Sequence, residues 1–254
     1  MRNKLFVLIV ATFLFSCVEK GDIDAADIIA CGVFDPEKEA CDIACGIFPK
    51  THTCDIDCGV FNPETHICDK RDGNTYKIVR MPDTRYWMAE NLNYEPTNGL
   101  SKCYRDEEKN CKIYGRLYSW SMREDICPDG WRVPFDEEWD KLEFYSGGER
   151  KLKAREGWDP FGNNVGNGED SYGFTALPAG AYMIGWLEDG ETCEERYDED
   201  GALKLPEWNG LGEITIFISI GESADRAIAN DVEGDFKFCW AENSLKSVRC
   251  IKKE

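Results

Sequence analysis

Cysteine is the residue type whose number and spacing could do the most chemistry in this 254-residue chain, which has thirteen cysteines and only two histidines. Six cysteines belong to three consecutive repeats that begin Cys-Gly-Val/Ile-Phe and contain a proline. The repeats cover residues 31–41, 45–54 and 58–68, and His52 and His66 hold matching positions before the last cysteine of the second and third. Such a pattern suits either disulfides or a structural zinc site.

We favour disulfides within each repeat. A unit this short buries almost no apolar surface, so a covalent link must supply its order. The expected pairs are Cys31 with Cys41, Cys45 with Cys54, and Cys58 with Cys68, and each closed loop contributes about 2–3 kcal/mol. Zinc held by these cysteines with His52 and His66 is the alternative, and it is disfavoured in an exported chain because thiols oxidise outside the cytoplasm.

The N-terminus predicts export. Arg2 and Lys4 precede an apolar run over residues 5–15, which is too short to span a bilayer comfortably and is typical of a signal peptide. Leu-Phe-Ser-Cys at residues 14–17 resembles a lipobox, in which Cys17 is acylated and becomes the new N-terminus. An ordinary signal peptide with an incidental cysteine is the alternative. We expect the bilayer as a partner through Cys17, at the outer membrane or cell surface more than the inner membrane.

The charge excludes one class of partner. The net charge is −19, and removal of residues 1–16 would take away two further positive charges. Such a chain repels nucleic acid. We divide it into a signal peptide (1–16), a tether (17–30), a stalk of three cysteine-rich repeats (31–69) and a globular domain (70–254), whose length supports a single core.

The globular part lacks the usual catalytic groups. Residues 70–254 contain no histidine, which removes Ser-His and Cys-His nucleophile pairs. Glu137 and Glu138 are adjacent and point to different faces of a predicted helix, so they do not form a glycosidase pair. We therefore expect a protein that is not an enzyme and carries no obligatory cofactor.

Aromatic side chains suggest binding. The chain has eight tryptophans and ten tyrosines, and aromatic faces stack on sugar rings. Trp158, Trp186 and Trp208 lie in loop-like contexts and are the candidate ligand residues; packing in a loop-rich core is the alternative for each. Oxygen-bearing side chains of one nearby loop are candidate ligands for calcium, the only metal we consider there: Asn163, Asn164, Asn167, Glu169 and Asp170.

Local patterns predict the elements that position these residues. Residues 76–81 alternate at period two and predict a strand, paired across a turn at 82–84 with a second strand at 85–88. Residues 117–122 predict a first helix, and a second begins near Asp136, capped by that residue, and stops at Gly147-Gly148. Residues 215–219, 236–240 and 247–251 predict further strands, the last two as a hairpin.

Five motifs in order resemble the Fibrobacter succinogenes major paralogous domain family. The most specific is Cys-Pro-x-Gly-Trp-Arg-x-Pro-x-x-x-Glu-Trp at residues 127–139; the others cover residues 87–94, 114–120, 173–180 and 247–250. The resemblance implies an α+β, C-type-lectin-like fold with two helices and a small, mainly antiparallel, loop-rich sheet, distantly related to formylglycine-generating enzymes. It implies no established activity.

The remaining cysteines bear on that relation. Cys103 and Cys111 bracket a charged loop and are expected to pair locally. For the other four we expect Cys127 with Cys250 and Cys193 with Cys239, although the sequence leaves their connectivity open. Formylglycine-generating relatives use two reactive cysteines a few residues apart, whereas Cys239 and Cys250 are separated by ten residues. That oxidase activity is therefore the least favoured alternative.

Together these observations predict a non-catalytic, exported surface lipoprotein for adhesion or recognition of a polysaccharide or an envelope protein. The alternative is an envelope scaffold or display protein with no small ligand. Loss of polysaccharide binding on replacing Trp186 and Trp208 would separate the two.

Overall fold

A computed structural model describes residues 53–55, 58–163, 165–183, 185–187, 207–221, 225–230, 237–239 and 244–254. The chain divides into two compact units, Met1–Thr75 and Tyr76–Glu254. The predicted tether and the expected pairs Cys31 with Cys41, Cys45 with Cys54 and Cys193 with Cys239 lie wholly or partly outside the described residues. In the described part, no helix has the length and apolar character needed to cross a bilayer.

The first unit shows the end of the repeat segment. Strand β1 (Thr53–Asp55) pairs antiparallel with β2 (Gly59–Phe61), and β3 (His66–Asp69) follows. A disulfide joins Cys58 to Cys68, as expected from the repeat. The β1–β2 pairing joins the end of the second repeat to the start of the third, so these two repeats are linked by backbone hydrogen bonds as well as by chain connectivity.

The second unit is α+β, with short and mainly antiparallel strands. One sheet contains four of its strands in the order β4 (Asn74–Arg80), β5 (Tyr86–Met88), β16 (Ile251–Lys252) and β8 (Trp131–Arg132). The β4–β5 hairpin confirms the predicted one. The C-terminal strand β16 lies between β5 and β8 and pairs with both, so it connects the two parts of this sheet.

A second sheet holds the middle of the unit. Its strands, in spatial order, are β13 (Arg226–Ala229), β12 (Ile214–Phe217), β9 (Ala179–Met183), β15 (Leu245–Lys246), β7 (Leu117–Ser119) and β6 (Ser101–Lys102), while β11 (Glu207–Leu211) also pairs with β9. A separate pair is formed by β10 (Gly185–Leu187) and β14 (Lys237–Cys239). The predicted hairpin between β14 and the last strand is therefore wrong, because β14 pairs with β10 instead.

Two α-helices lie in the described part, α1 (Glu108–Tyr114) and α2 (Asp136–Ser146). The helix predicted at residues 117–122 is wrong: Leu117 and Tyr118 are buried in a strand with a partner on each side, and only Trp120–Met122 forms a 3-10 turn. Helix α1 lies where we expected a loop, and the Cys103–Cys111 disulfide ties it to the preceding turn.

The second helix confirms its prediction except at its cap. Pro134 disfavours helix in the residue before it, and Gly147 ends the helix in the left-handed conformation at φ 79°. Asp136 is the first helical residue and not the cap. Phe135 takes the cap position without a side-chain acceptor, and the Glu138 carboxylate accepts a hydrogen bond from the Phe135 N–H at 2.9 Å.

Aromatic rings dominate the main core. Trp139 stacks on Phe217 with ring centroids 5.1 Å apart and lies 4.9 Å from Trp87, and Phe174 packs edge-on against these rings. All four are buried. Helix α2 is thereby fixed to both sheets, because Trp87 lies on β5 and Phe217 on β12.

Candidate functional site

The signature stretch at residues 127–139 builds structure around one carboxylate. Arg132 donates two hydrogen bonds to Glu138, at 2.6 and 2.7 Å, and Arg85 donates a third at 3.0 Å. Burial acts to raise the pKa of Glu138, but the hydrogen bonds from Arg132 and the Phe135 N–H, together with both guanidinium charges, lower it overall. The carboxylate therefore joins α2 to β8 through Arg132 and to the residue before β5 through Arg85.

Three further motifs meet at one buried guanidinium. Arg249 donates to Asn91 Oδ1 at 2.6 Å and to the carbonyl oxygens of Met88, Phe174 and Thr175. Its guanidinium also lies 4.6 Å from the centroid of the Phe174 ring. Burial lowers its pKa to about 9, so it remains charged at neutral pH.

The disulfide from Cys127 to Cys250 lies beside Arg249 in the chain and joins the signature turn to the C-terminal motif, the pairing that we expected. Cys250 is buried as well as oxidised. It therefore has no thiol to form a reactive pair with Cys239. We conclude that the motifs which carry the resemblance form the scaffold of the domain.

The structure shows the surroundings of two of the three tryptophans that were predicted to bind a ligand. Trp158 is only 3% exposed and its Nε1–H donates to the Ala176 carbonyl at 3.0 Å, so its prediction as a ligand-stacking residue is wrong. Trp208 is partly buried and packs between Tyr182 and Tyr104, at 4.8 and 5.2 Å between ring centroids. The Trp186 side chain lies outside the described residues.

The predicted calcium residues have other partners. Asn167 Oδ1 accepts from the Trp158 N–H at 3.0 Å, and Asp170 accepts from the N–H and hydroxyl of Thr175. Glu169 pairs with Lys151 at 2.9 Å. No group of three or more His, Cys, Asp or Glu side chains suited to a metal ion occurs among the described residues. The loop is thus held by hydrogen bonds of its own, and the side chain of Asn164 lies outside the description.

The same loop forms one wall of a pocket of about 180 Å³. Its lining combines two basic side chains, three amides, an exposed apolar side chain and a glycine: Arg150, Lys153, Asn163, Asn167, Asn230, Val165 and Gly166. Phe161 lies two residues before Asn163 on this loop and is 55% exposed, and Val165 is 65% exposed. The pocket therefore combines polar groups with the exposed apolar side chain of Val165, and Phe161 adds an exposed ring on the same loop.

Backbone hydrogen bonds fix the loop that lines the pocket to residues 150–154. The N–H groups of Gly168 and Asp170 donate to the Ala154 and Lys153 carbonyls at 2.8 and 3.0 Å, and the Glu169 N–H donates to the Arg150 carbonyl at 2.8 Å. On the opposite side, the Asn230 side chain donates to the Asp159 carbonyl at 3.2 Å. The walls are thus joined to each other, and a ligand would meet a preformed surface.

Close packing explains two of the glycines in this wall. A Cβ added to Gly166, at φ 74°, would collide with the Asp159 carbonyl, and one added to Gly168 would collide with Lys153. Lys153 itself is buried, donates to the Ala229 carbonyl at 2.7 Å and lies 4.5 Å from the centroid of the Trp158 ring. Trp158 therefore supports the pocket from behind.

Our sequence reasoning missed the basic side of this pocket. Four of the six residues from 150 to 155 are basic, Arg150, Lys151, Lys153 and Arg155, in a chain with 49 acidic and 30 basic residues. We call residues 150–155 the basic segment. Their local excess of positive charge was the signal in the sequence that could have indicated this pocket.

The structure thus defines a disulfide-bonded α+β domain with a motif-built scaffold and a small basic pocket. The family model described as the Fibrobacter succinogenes major domain matches residues 83–252. The chain belongs to this family. Comparison with curated proteins and with solved structures finds no match.

Proposed function

We propose that the chain is an exported lipoprotein, anchored in a bilayer through acylated Cys17, whose C-terminal domain recognises a polysaccharide at the cell envelope without catalysing a reaction. A C-type-lectin-like fold is part of this proposal. It is supported by family membership and by the arrangement of two short helices with small, mainly antiparallel sheets.

The observation that carries the proposal is the preformed pocket beside exposed apolar side chains. Sugars are bound by a few fixed polar groups for their hydroxyls and by apolar or aromatic surface for their ring faces. Asn163 and Asn167 supply amides in the pocket, and Phe161 supplies an exposed ring on the same loop.

The buried charged groups support a role without catalysis. Glu138 and Arg249 have strong structural partners, and Cys250 is in a disulfide. These groups thus stabilise the fold.

A binding screen tests the proposal. The full-length chain, purified oxidised in detergent, would be applied to neutral and acidic polysaccharides with and without calcium. We expect retention on at least one polysaccharide, no calcium requirement, and loss of retention in Phe161→Ala. Phe144→Ala is the matched control, because Phe144 is an exposed phenylalanine, 79% accessible, on helix α2 and not on the loop that lines the pocket. Absence of retention across the whole panel would contradict the proposal.

A scaffold role with a protein partner is the second candidate. Phe144 and Tyr145 are adjacent, 79% and 57% exposed, and their rings lie 5.3 Å apart. Exposed aromatic pairs are common at protein interfaces. If crosslinking on intact cells captured one envelope protein through wild type and not through Phe144→Ala, with no polysaccharide retained, the scaffold role would be the better account.

A further inference from the structure

Two side chains in the pocket lining, Arg150 and Asn167, present hydrogen-bond donors to a ligand. Because Asn167 Oδ1 accepts from the Trp158 N–H, its amide orientation is set and the Nδ2 hydrogens are the part available to a ligand. Arg150 adds a guanidinium that is 56% exposed, with its Nε 3.4 Å from Glu169 Oε1. Donors and positive charge together favour an anionic acceptor over a neutral hydroxyl.

The net charge of the chain limits the kind of ligand that can bear this anionic group. With a net charge of −19, the protein repels a densely charged polyanion. At physiological ionic strength the screening length is about 8 Å, so the basic segment acts only on groups close to it. A single negative group on an otherwise neutral carrier satisfies both conditions.

The size of the pocket indicates how much of the carrier enters. Sites for drug-sized ligands have volumes of roughly 300–1,000 Å³. At about 180 Å³ this pocket suits one sugar-sized group, while the exposed part of Val165 in its lining and Phe161 on the same loop are available to contact the adjoining chain.

We propose that the pocket binds the carboxylate of a uronic-acid side group on an otherwise neutral polysaccharide, with Arg150 and Asn167 as the donors. This inference rests on the proposed function and names its ligand class. The guanidinium and the amide hydrogens would each reach a carboxylate oxygen, and Glu169 beside Arg150 would weaken the attraction for any anion.

A matched pair of ligands tests it. Xylan bearing glucuronic acid side groups and the same xylan after chemical reduction of its carboxyl groups differ only in the charged group. We expect the full-length oxidised chain to bind the intact xylan at least about tenfold more tightly, the effect of losing one charge-assisted hydrogen bond. Free glucuronate should compete for this binding, and inorganic sulfate at the same concentration should not.

Three variants locate the binding. Arg150→Gln and Asn167→Asp should each abolish the preference for the intact xylan; the aspartate can still accept from Trp158 N–H, but it replaces the amide donors with a negative charge. Arg155→Gln is the control, because it removes the same charge from another exposed arginine of the basic segment, one that does not line the pocket. It should retain the preference.

The outcomes are distinguishable. Equal binding of intact and reduced xylan would overturn the inference and leave the proposed function standing. An equal loss in Arg150→Gln and Arg155→Gln would also overturn it, since diffuse attraction would then explain the preference. Competition by sulfate as strong as by glucuronate would show a general anion site and overturn the carboxylate assignment. Failure to bind either xylan would overturn it too, and the polysaccharide panel alone would then decide the proposed function.

Discussion

Two regions of the second unit use charged residues in opposite ways. In the signature core, defined here by Trp87, Glu138, Trp139, Phe174 and Arg249, charged side chains are buried and each is surrounded by partners. In the pocket region, residues 150–170, charged side chains lie largely at the surface and the backbone supplies most of the order.

The difference separates the motifs that carry the family resemblance from the pocket, which lies outside those motifs. Four of the five motifs contribute residues to the core or to its Arg249 and Glu138 networks, and none of the motifs covers the pocket residues 150–167. A scaffold built from buried charge tolerates few changes, because an orphaned buried donor or acceptor costs its full desolvation energy. A loop held by backbone hydrogen bonds can change side chains with less loss of stability.

Replacing Arg249 should have the largest effect. Arg249→Met would leave Asn91 Oδ1 and three carbonyl oxygens without their donor inside the core, which costs about 3–5 kcal/mol of unfolding free energy. Urea unfolding would measure the loss, and soluble yield would report it if the variant does not fold. Arg155→Gln, an exposed arginine, should unfold at the wild-type urea concentration. A wild-type midpoint for Arg249→Met would remove the basis for calling this core the scaffold.

The contribution of Glu138 to the stability of the signature core depends on pH. Because its pKa in the folded protein lies below the ordinary value of about 4.3, its contribution is present above that pH and is lost as the pH falls through the lowered pKa. Glu138→Gln should therefore cost about 2–3 kcal/mol near neutral pH, and its difference from wild type should shrink in acid.

Urea unfolding at a series of pH values checks this dependence. Glu137→Gln is the control at the adjacent, exposed position, and it should follow the wild-type profile. A Glu138→Gln profile parallel to wild type at every pH would show that the carboxylate is not the titrating group.

The core was the more predictable of the two regions. The β4–β5 hairpin and helix α2 follow from alternation, Pro134 and Gly147, all of which are local signals. Residues 117–122 misled the prediction because a short apolar run fits a strand or a helix, and only its pairing with β6 and β15 decides. Helix α1 gave little apolar periodicity, because it buries only Asn110 and Cys111.

The pocket could not be predicted because its walls meet through long-range contacts. Trp158 occurs in a loop-like sequence, yet the chain from 159 to 170 folds over it and joins residues 150–154 by backbone hydrogen bonds. Nothing in the local pattern around Asn167 shows that its amide faces Trp158 N–H. The basic segment was the one local signal of this pocket in the sequence. Its positive charge indicated an anionic ligand more directly than the acidic residues of the loop indicated calcium.

A methyl group added to the loop that lines the pocket should reduce both stability and binding where it meets the backbone of the pocket wall. Gly166→Ala places a methyl group against the Asp159 carbonyl at positive φ, and we expect a cost of about 2–4 kcal/mol together with loss of polysaccharide retention. Gly162→Ala is also at positive φ, 56°, but meets open space, so it should cost about 1–2 kcal/mol and keep retention. Equal retention in both variants would show that the shape of this wall does not matter for binding.

The smallest change in stability, and a gain in binding, is expected at Glu169. Its carboxylate contacts Lys151 and Arg150 at the surface, while its N–H holds the loop through the Arg150 carbonyl, a bond that a side-chain change leaves intact. Since exposed ion pairs contribute little, Glu169→Gln should unfold at the wild-type urea concentration. Removing the negative charge beside Arg150 should, however, tighten binding of the glucuronic-acid-bearing xylan by several-fold and leave the reduced xylan unaffected. Glu156→Gln, which removes an exposed acid outside the pocket lining, should change neither. A gain of equal size for both xylans, or in both variants, would mean that net charge and not the Arg150 site governs binding, and the contrast between a fixed core and a tunable pocket would lose its chemical basis.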